Sequence, residues 1–309
     1  MLGRIFAIAM NTYREAVRAR VLFGLLAAAL AASAYSLVIA SMSIKQEMRI
    51  VADIGSASIS AFAVLVAVIL GATSLYRELE LKTIFPILTR QLRRPEYVVG
   101  KYFGILAVLV AFVAIDGAAV LTVLSVQSGA TTPAAVGAGA SLVALGIALW
   151  RAKLTRVFVV LPWSLVAFVV MAFVAESAGS ERRIVILSAV LTIAEVGIVT
   201  AIALLFSSFS SPFLTAIFTT MVFLIGRSAD TLGNLPVRVF GSAVHETGWF
   251  LAKVFPNLNA CVPARPVLLG QVPDLSVAGY IASAIGNAAL YSIVLLVIGS
   301  FVFRRRDFT

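Results

Sequence analysis

Long apolar runs are the feature of this sequence that most constrains its fold. Eight runs are close to the length of about 20 residues that a helix needs to cross a bilayer; they lie at 21–42, 57–76, 98–125, 134–150, 157–175, 184–206, 212–228 and 278–303. Charged residues make up only 12% of the chain, against about 25% in soluble domains, and cannot cover a water-exposed surface. The sequence therefore predicts an all-α, polytopic membrane protein.

Two of the runs leave the number of spans open. The run at 134–150 contains three glycines, Gly137, Gly139 and Gly146, which make it less hydrophobic. Pro162 interrupts the run at 157–175. Both runs are also short for a full crossing. We therefore predict six core transmembrane helices plus an extra hairpin over 134–175, and both six-helix and eight-helix arrangements stay open.

The distribution of basic residues predicts the orientation of the chain. With the N-terminus inside, the cytoplasmic segments hold 16 of the 24 Lys and Arg residues; these segments are 1–20, 76–101, 151–156, 207–211 and 304–309. Cytoplasmic loops are enriched in Lys and Arg, so both termini are predicted to be cytoplasmic with either helix count. The net charge of +10 is thus a signal of topology, and we expect no nucleic-acid partner. We expect the first run to remain as a span and not to be cleaved as a signal peptide.

Two segments outside the runs also have a predicted structure. Residues 1–20 are amphipathic and predict an interfacial helix on the cytoplasmic leaflet, although a basic leader that only sets the orientation is an alternative. Residues 229–277 contain five prolines and form the external segment, in which we expect a short helix over about 243–255. The whole chain, 1–309, is predicted to be a single transmembrane domain.

Several kinds of active site are missing from the sequence. The one Gly-Lys pair has Pro95 where a P-loop needs glycine and Tyr102 where it needs Ser or Thr. One histidine and one cysteine cannot form a zinc site or an internal disulfide. His245 lies outside every predicted span and is interpreted as a solvated loop residue. We expect no catalytic residue, metal or cofactor in this chain, and no enzymatic activity of its own.

The segment between the second and third runs, 76–101, is rich in charge. Glu78 and Lys82 are four residues apart, which suits a helical pair, so the second span is predicted to continue past the headgroups. Pro86 must break or kink this helix, and Pro95 suits the first turn of the next one. Taken alone, the segment is either a docking element for a cytoplasmic partner or a solvated loop that satisfies the positive-inside rule.

This hairpin resembles a known family. Its residues resemble the signature region of the ABC-2 type permeases, the transmembrane subunits of type V-like bacterial ABC exporters: Tyr76, Glu78-Leu79-Glu80, Lys82-Thr83-Ile84, Leu88, Arg93-Arg94 and Gly100-Lys101. Further segments resemble the family in the same order along the chain: Asn11 to Glu15, Leu204 to Ser210, Pro256 to Asn259 and Phe303 to Phe308. The resemblance extends over most of the sequence.

The resemblance implies a permease in the cytoplasmic (inner) membrane of a bacterium. It would form a dimer with a second copy or a close paralogue and pair with two cytosolic ATPase subunits, which would bind ATP and Mg. Each ATPase would hold one hairpin as its coupling helix, through Tyr76, Glu78, Glu80, Lys82, Thr83, Arg93, Arg94 and Lys101. ATP binding would then move the hairpin and the interfacial helix, with its Tyr13, Arg14, Glu15 and Arg18, as a lever.

The resemblance also implies a translocation path, and this chain departs from the family's pattern at one hairpin. The spans at 57–76 and 212–228 would line the path, with Thr73, Phe213, Phe218 and Phe223 as candidate lining residues. The aromatic side chains suggest an amphipathic or lipid-like substrate. The hairpin at 134–175 departs from the six-span pattern. It would bind an accessory protein or a lipid, or it would enlarge the lipid-facing perimeter of the protein. We favour the enlarged perimeter. Gly100 and Gly104 would allow close approach of another helix.

Two carboxylates fall inside predicted spans, Asp116 and Glu195. Charges there cost roughly 2.5–3.5 kcal/mol, so both should face protein or water. They are either a substrate or proton site or structural carboxyls that are protonated or hydrogen-bonded. If they form a proton site, the chain would be a proton-coupled secondary transporter that uses Asp116 and Glu195. A further function also stays open, an ATP-driven mechanical transmitter to a periplasmic protein through residues 229–277.

Overall fold

The computed structural model describes residues 2–80, 94–152, 156–273 and 275–305, and at 75–80, 94, 304 and 305 it describes the backbone alone. These residues form 13 α-helices and two short 3₁₀-helices, with no β-strand among them. The helices are α1 (Leu2–Val17), α2 (Arg20–Ser41), α3 (Glu47–Glu80), α4 (Arg94–Gln127), α5 (Thr131–Arg151), α6 (Arg156–Val174), α7 (Ser180–Ser207), α8 (Pro212–Arg227), α9 (Ala229–Gly233), α10 (Val237–Phe240), α11 (Ser242–Val254), α12 (Arg265–Leu269) and α13 (Val277–Arg305). The all-α prediction is confirmed.

Within the described residues, seven helices are long and apolar enough to cross a membrane, namely α2 to α7 and α13. The chain is therefore a multi-pass membrane protein. Both helices of the predicted extra hairpin, α5 and α6, are among the seven. Pro162 lies inside α6 without ending it, so the predicted interruption is wrong. Spanning helices tolerate proline where neighbouring groups satisfy the freed backbone carbonyl.

The run predicted at 212–228 is present as a helix, but as a short one. This run forms α8, which has 16 residues and is therefore about 24 Å long. The hydrocarbon layer is about 30 Å thick, so α8 alone does not cross it. The helix returns alongside α7 and ends at Arg227, whose side chain reaches Glu195 near the middle of α7.

The segment after α8 continues along the bundle toward the start of α7. The backbone N–H of Leu258 donates to the carbonyl oxygen of Gly226 at 3.0 Å, which holds the segment against the end of α8. Further along, Leu268 of α12 packs in one cluster with Ile184, near the start of α7. Residues 212–276 thus carry the chain from the end of α7 back to the level of its first turns.

The last helix, α13, runs parallel to α7. Ala284 belongs to the same apolar cluster as Ile184, and Gly299 lies against Leu205 at the other end of α7. Phe303 then stacks on Tyr97 of α4, with ring centroids 6.3 Å apart. The C-terminal end of the described chain therefore lies where α3 stops and α4 begins. Helix α1 is at the same end, because Ile8 lies against Gly100 of α4. We call this end of the bundle the hairpin end.

Three helices form the centre of the bundle. The apolar windows of α4 and α7 are each 72% buried and that of α3 is 61% buried, whereas the window of α5 is only 6% buried. Lipid supplies no hydrophobic drive between helices, so close contact depends on small residues. At Gly71 the backbone of α3 is so near Ala203 of α7 that a Cβ would lie 2.4 Å from the Ala203 Cβ.

The hairpin of α5 and α6 lies at the edge of the bundle. It is attached through α6, where Phe168 lies against Gly117 of α4. The indole Nε1 of Trp163 donates to the carbonyl oxygen of Ser141 at 2.8 Å and joins the two helices. Because α5 has almost no buried side chains, this placement agrees with an enlarged perimeter.

Candidate functional site

The two legs of the charged hairpin are extensions of α3 and α4. Three of the predicted coupling residues, Lys82, Thr83 and Arg93, lie outside the described residues. Four more lie on described helix backbone, Tyr76, Glu78 and Glu80 at the end of α3 and Arg94 at the start of α4. The predicted helical continuation of the second run is therefore present as far as Glu80.

Lys101 lies at the base of this hairpin and is only 1% exposed. Lysine is almost never fully buried without polar contacts. Its Nζ donates to the carbonyl oxygen of Ser74 at 3.4 Å and lies 5.7 Å from the centre of the Tyr97 ring. Lys101 thus connects α3 to α4 where the hairpin leaves the bundle. Among the predicted coupling residues, this one is placed to position the hairpin and not to form its outer surface.

The N-terminal helix is packed directly on the start of α4. A Cβ built at Gly100 would lie 2.7 Å from the Ile8 side chain, and one at Gly104 would lie 2.6 Å from the Ala9 carbonyl oxygen. The small-residue pair therefore accommodates α1. The carboxylate of Glu96, which is 4% exposed, also lies 3.9 Å from the guanidinium of Arg4. Movement of the start of α4 must move α1 with it.

Tyr13 has a structural place within α1. It is 3% exposed, its hydroxyl donates to the carbonyl oxygen of Val157 at 3.2 Å, and its ring stacks on Phe158 of α6. Burial raises the pKa of the Tyr13 hydroxyl above its ordinary value, so it remains a neutral donor. Arg14, Glu15 and Arg18 are exposed, as an interfacial helix requires.

An interior polar cluster joins three helices through Ser60, Glu195 and Arg227. The Ser60 hydroxyl donates to Glu195 Oε2 at 2.9 Å, and Arg227 Nη1 donates to Glu195 Oε1 at 2.5 Å. Arg227 Nη2 also lies 3.3 Å from the Ser60 hydroxyl. Glu195 is fully buried, whereas the Arg227 side chain is 29% exposed. The cluster holds α3, α7 and the end of α8 together with one buried charge pair.

Sequence analysis identified Glu195 but not its partner. In the sequence, Arg227 stands at the end of the apolar run at 212–228. The length of the apolar run was the available signal, because a helix of 16 residues leaves its last side chain inside the hydrocarbon layer. A charge at that depth must be paired within the protein.

Asp116 forms a separate contact between α4 and α2. Its Oδ1 accepts a hydrogen bond from the Ser33 hydroxyl at 2.9 Å, and its Oδ2 has no hydrogen-bond partner among the described residues. No basic side chain contributes to this contact. Asp116 and Glu195 are therefore in different surroundings and do not form a joint site.

The candidate path residues do not surround a common channel in one chain. Phe213 is 75% exposed on the outer face of α8, whereas the Phe218 ring packs against Phe206 of α7, with ring centroids 5.5 Å apart. Phe223 lies under the guanidinium of Arg227, 5.8 Å from its ring centre. Thr73 is exposed near the hairpin end, and its hydroxyl donates to the Ile69 carbonyl oxygen. Any path along α8 would have to be closed by a second molecule.

The external segment is attached to the bundle by an ion cluster. Arg265 of α12 pairs with Asp53 of α3 and donates to Glu181 of α7, 2.5 Å from Oε2. Burial lowers the pKa of Arg265, but the contacts with Glu181 and Asp53 outweigh it and raise that pKa. The predicted helix over 243–255 is present as α11. The ion cluster ties the segment to the far ends of two central helices.

His245 and Cys261 are the remaining candidate reactive side chains, and each has a structural position. His245 Nδ1 lies 2.7 Å from the carbonyl oxygen of Leu235, a backbone contact within the external segment. Cys261 is a buried free thiol. Among the described residues there is no group of three or more His, Cys, Asp and Glu side chains that could hold a metal ion.

Comparison of the chain with models of known protein families gives no match, and comparison with curated proteins gives none either. The resemblance described above therefore depends on its motifs, and a function has to be argued from them together with the geometry of the hairpin base and the interior polar cluster.

Proposed function

We propose that this chain is the permease subunit of an ATP-driven ABC-2 type exporter in a bacterial inner membrane. It works as a dimer, and a separate cytosolic ATPase binds the hairpin at 76–101 of each subunit. The bias of Lys and Arg supports a cytoplasmic location for the hairpin end and for both termini. The chain has no P-loop, so the ATP and Mg belong to the ATPase partner.

The observation that carries the proposal is the construction of the hairpin base. A segment that transmits force needs its two legs fixed to each other and to the helices that move. Lys101 connects the legs through Ser74, and Gly100 and Glu96 hold α1 against the same leg. Phe303 adds the end of α13 through its contact with Tyr97. A solvated loop that only satisfies the positive-inside rule has no need of these contacts.

The central helix α3 provides the route from the hairpin into the membrane. It is continuous from Glu47 to Glu80, with Ser60 of the interior polar cluster in its middle. A displacement of the hairpin therefore reaches the position where α8 ends beside Glu195. In a dimer, the exposed outer face of α8 would then line or close the path between subunits.

The coupling role is tested by substitution in the hairpin. Glu80→Ala and Lys82→Ala should each reduce ATPase stimulation by the permease about tenfold, because a hydrogen bond to a charged group contributes about 1.5–3 kcal/mol. Lys153→Ala removes a positive charge from another basic segment predicted on the same side and should have no effect. Unchanged stimulation in both hairpin variants would exclude the coupling assignment.

A mechanical transmitter is a second candidate, favoured by the ion cluster of the external segment. Arg265 links that segment to α3, whose other end continues into the hairpin. In this case ATP should change the labelling of a cysteine introduced at Thr247, and Arg265→Ala should abolish the change while hydrolysis continues. Labelling that is indifferent to ATP in the parent protein would contradict this candidate. Proton coupling through Glu195 gains no support, since its carboxylate is already paired with Arg227.

A further inference from the structure

A cavity of about 800 Å³ lies at the hairpin end, where the chain turns from α1 into α2. We call it the elbow cavity. Its walls come from α1, α2, α3 and the first half of α4. Polar residues lie on the α1 side and at the turn, and apolar residues lie deeper, between α2 and α3; the latter include Leu22, Leu25, Val66, Leu70 and Ile105. The cavity therefore has one polar and one apolar part.

The polar part has an excess of positive charge. Three arginines line it, Arg14, Arg18 and Arg20, together with a single acidic residue, Glu15. The turn also contains the N-terminus of α2, where the capping position is Ala19 and none of the described side chains caps the first N–H groups. Arginine side chains and the uncapped start of a helix both favour an anionic group.

A buried hydroxyl in the wall lacks a partner. Thr12 lines the elbow cavity, is 3% exposed, and has no hydrogen-bond partner for its Oγ1 among the described residues. The side chain is held by its close contact with Gly104. Buried hydroxyl groups in proteins are nearly always hydrogen-bonded. Because this oxygen is covered by protein atoms, it is not itself a contact for a ligand, and the arginines and the apolar wall define the cavity.

We propose that the elbow cavity binds one anionic phospholipid. Its phosphate lies with Arg14, Arg18 and Arg20 at the start of α2, and the upper part of an acyl chain lies along Leu22, Leu25 and Val66. A lipid fits better than a soluble anion because the cavity has an apolar part. It also fits better because Arg20 begins a spanning helix, which places the arginines at headgroup depth.

The position of the lipid has a consequence for the hairpin. Thr73 and Ser74 line the same cavity, and Ser74 accepts the hydrogen bond from Lys101 at the hairpin base. A bound lipid thus lies between the α1–α2 turn and the leg of the hairpin. An effect on ATPase coupling rests on the proposed function, whereas lipid binding does not depend on it.

Binding is tested on the purified full-length chain by native mass spectrometry. The probes are phosphatidylglycerol, phosphatidylcholine with the same acyl chains, and glycerol phosphate as the free anion. Phosphatidylglycerol should bind about tenfold or more tightly than phosphatidylcholine, and glycerol phosphate should not bind. Equal binding of the two lipids, or tight binding of glycerol phosphate, would overturn the assignment.

Two variants locate the site. Arg14→Gln with Arg18→Gln should weaken phosphatidylglycerol binding about tenfold or more, since each basic group near a headgroup contributes substantially. Arg151→Gln with Arg156→Gln removes the same charge at the hairpin end, outside the elbow cavity, and should change binding less than about twofold. Equal losses in the two double variants would mean unspecific charge attraction and would overturn the proposal.

A third variant keeps the charge and fills the cavity. Leu25→Trp places a larger side chain where the acyl chain should lie, and it should also weaken phosphatidylglycerol binding. This result does not depend on whether the arginine variant folds. Unaltered binding in Leu25→Trp, with normal helix content, would contradict the proposed acyl position.

Discussion

At the residue scale, the charge pair of Glu195 and Arg227 is the contact whose loss should change the stability of the fold most. Arg227→Gln leaves a fully buried carboxylate without its partner, which costs about 3–5 kcal/mol in soluble proteins. Glu195→Gln should cost less, because the glutamine side chain keeps a carbonyl oxygen that can accept a hydrogen bond from Arg227. The double variant should be more stable than Arg227→Gln alone. Thermal unfolding of the four proteins in one detergent measures this cycle; additive losses would show that the pair is not coupled.

The buried state of Cys261 gives a second prediction. It is 4% exposed, so a maleimide should not label it in the folded protein but should label it after denaturation. Thr247→Cys in a Cys261→Ser background is the control, because position 247 lies on the exposed side of α11. Rapid labelling of Cys261 in the native protein would mean that the external segment is not packed on α7 as described.

Sequence analysis succeeded for single residues only where a residue type is costly in its surroundings. Asp116 and Glu195 were identified because carboxylates inside apolar runs are rare. Their partners Ser33, Ser60 and Arg227 were missed, since a serine in a span has no signature and Arg227 stands at the end of an apolar run. Pairing depends on how the helices pack, and one sequence does not contain that information directly.

At the element scale, the hairpin base makes a prediction about Lys101. Lys101→Met keeps a similar length and removes the donor to Ser74, so the contact between the two legs should weaken while the spans stay folded. We expect ATPase stimulation to fall about tenfold with helix content unchanged. Lys253→Met is a matched control in the external segment, where Lys253 lies over the Trp249 ring. Normal stimulation in Lys101→Met would show that the contact does not position the hairpin.

The position of a helix was predicted well where a long apolar run marks it. The first residues of a helix were predicted poorly where they are polar. The predicted second span began at 57, but α3 begins at Glu47, because Asp53 is held by Arg265 and need not lie in a loop. The helix predicted over 243–255 was found at Ser242–Val254. The helix predicted at 212–228 was found at Pro212–Arg227, and its 16 residues are few for a full crossing.

At the scale of the whole molecule, the outer face of α8 predicts where two subunits meet. Phe213 is 75% exposed and lies on that face, whereas Phe173, which is 73% exposed, lies on α6 at the perimeter. In a Cys261→Ser background, Phe213→Cys should form cross-linked dimers with a short bis-maleimide in native membranes. Phe173→Cys should not. The reverse pattern would put the dimer contact on the α5 and α6 hairpin.

Charge predicts that both termini lie on the same side of the membrane, but it does not predict how the chain returns there. Six or eight full spans were expected, and the described residues contain seven long apolar helices plus α8 with its following segment. The return of that segment to Ile184 depends on Leu258 and Leu268, which look like ordinary loop residues in the sequence. The basic residues at both ends remained the reliable signal.

The central claim is that the hairpin at 76–101 is held by an ATPase, and co-purification tests it most directly. The detergent-solubilised chain should be isolated from its native host and its partners identified by mass spectrometry. We predict a P-loop ATPase at near-equal stoichiometry that is lost when Glu78 to Lys82 are replaced by alanine and retained in Lys153→Ala. A chain that purifies without any ATPase in every mild detergent would contradict the account.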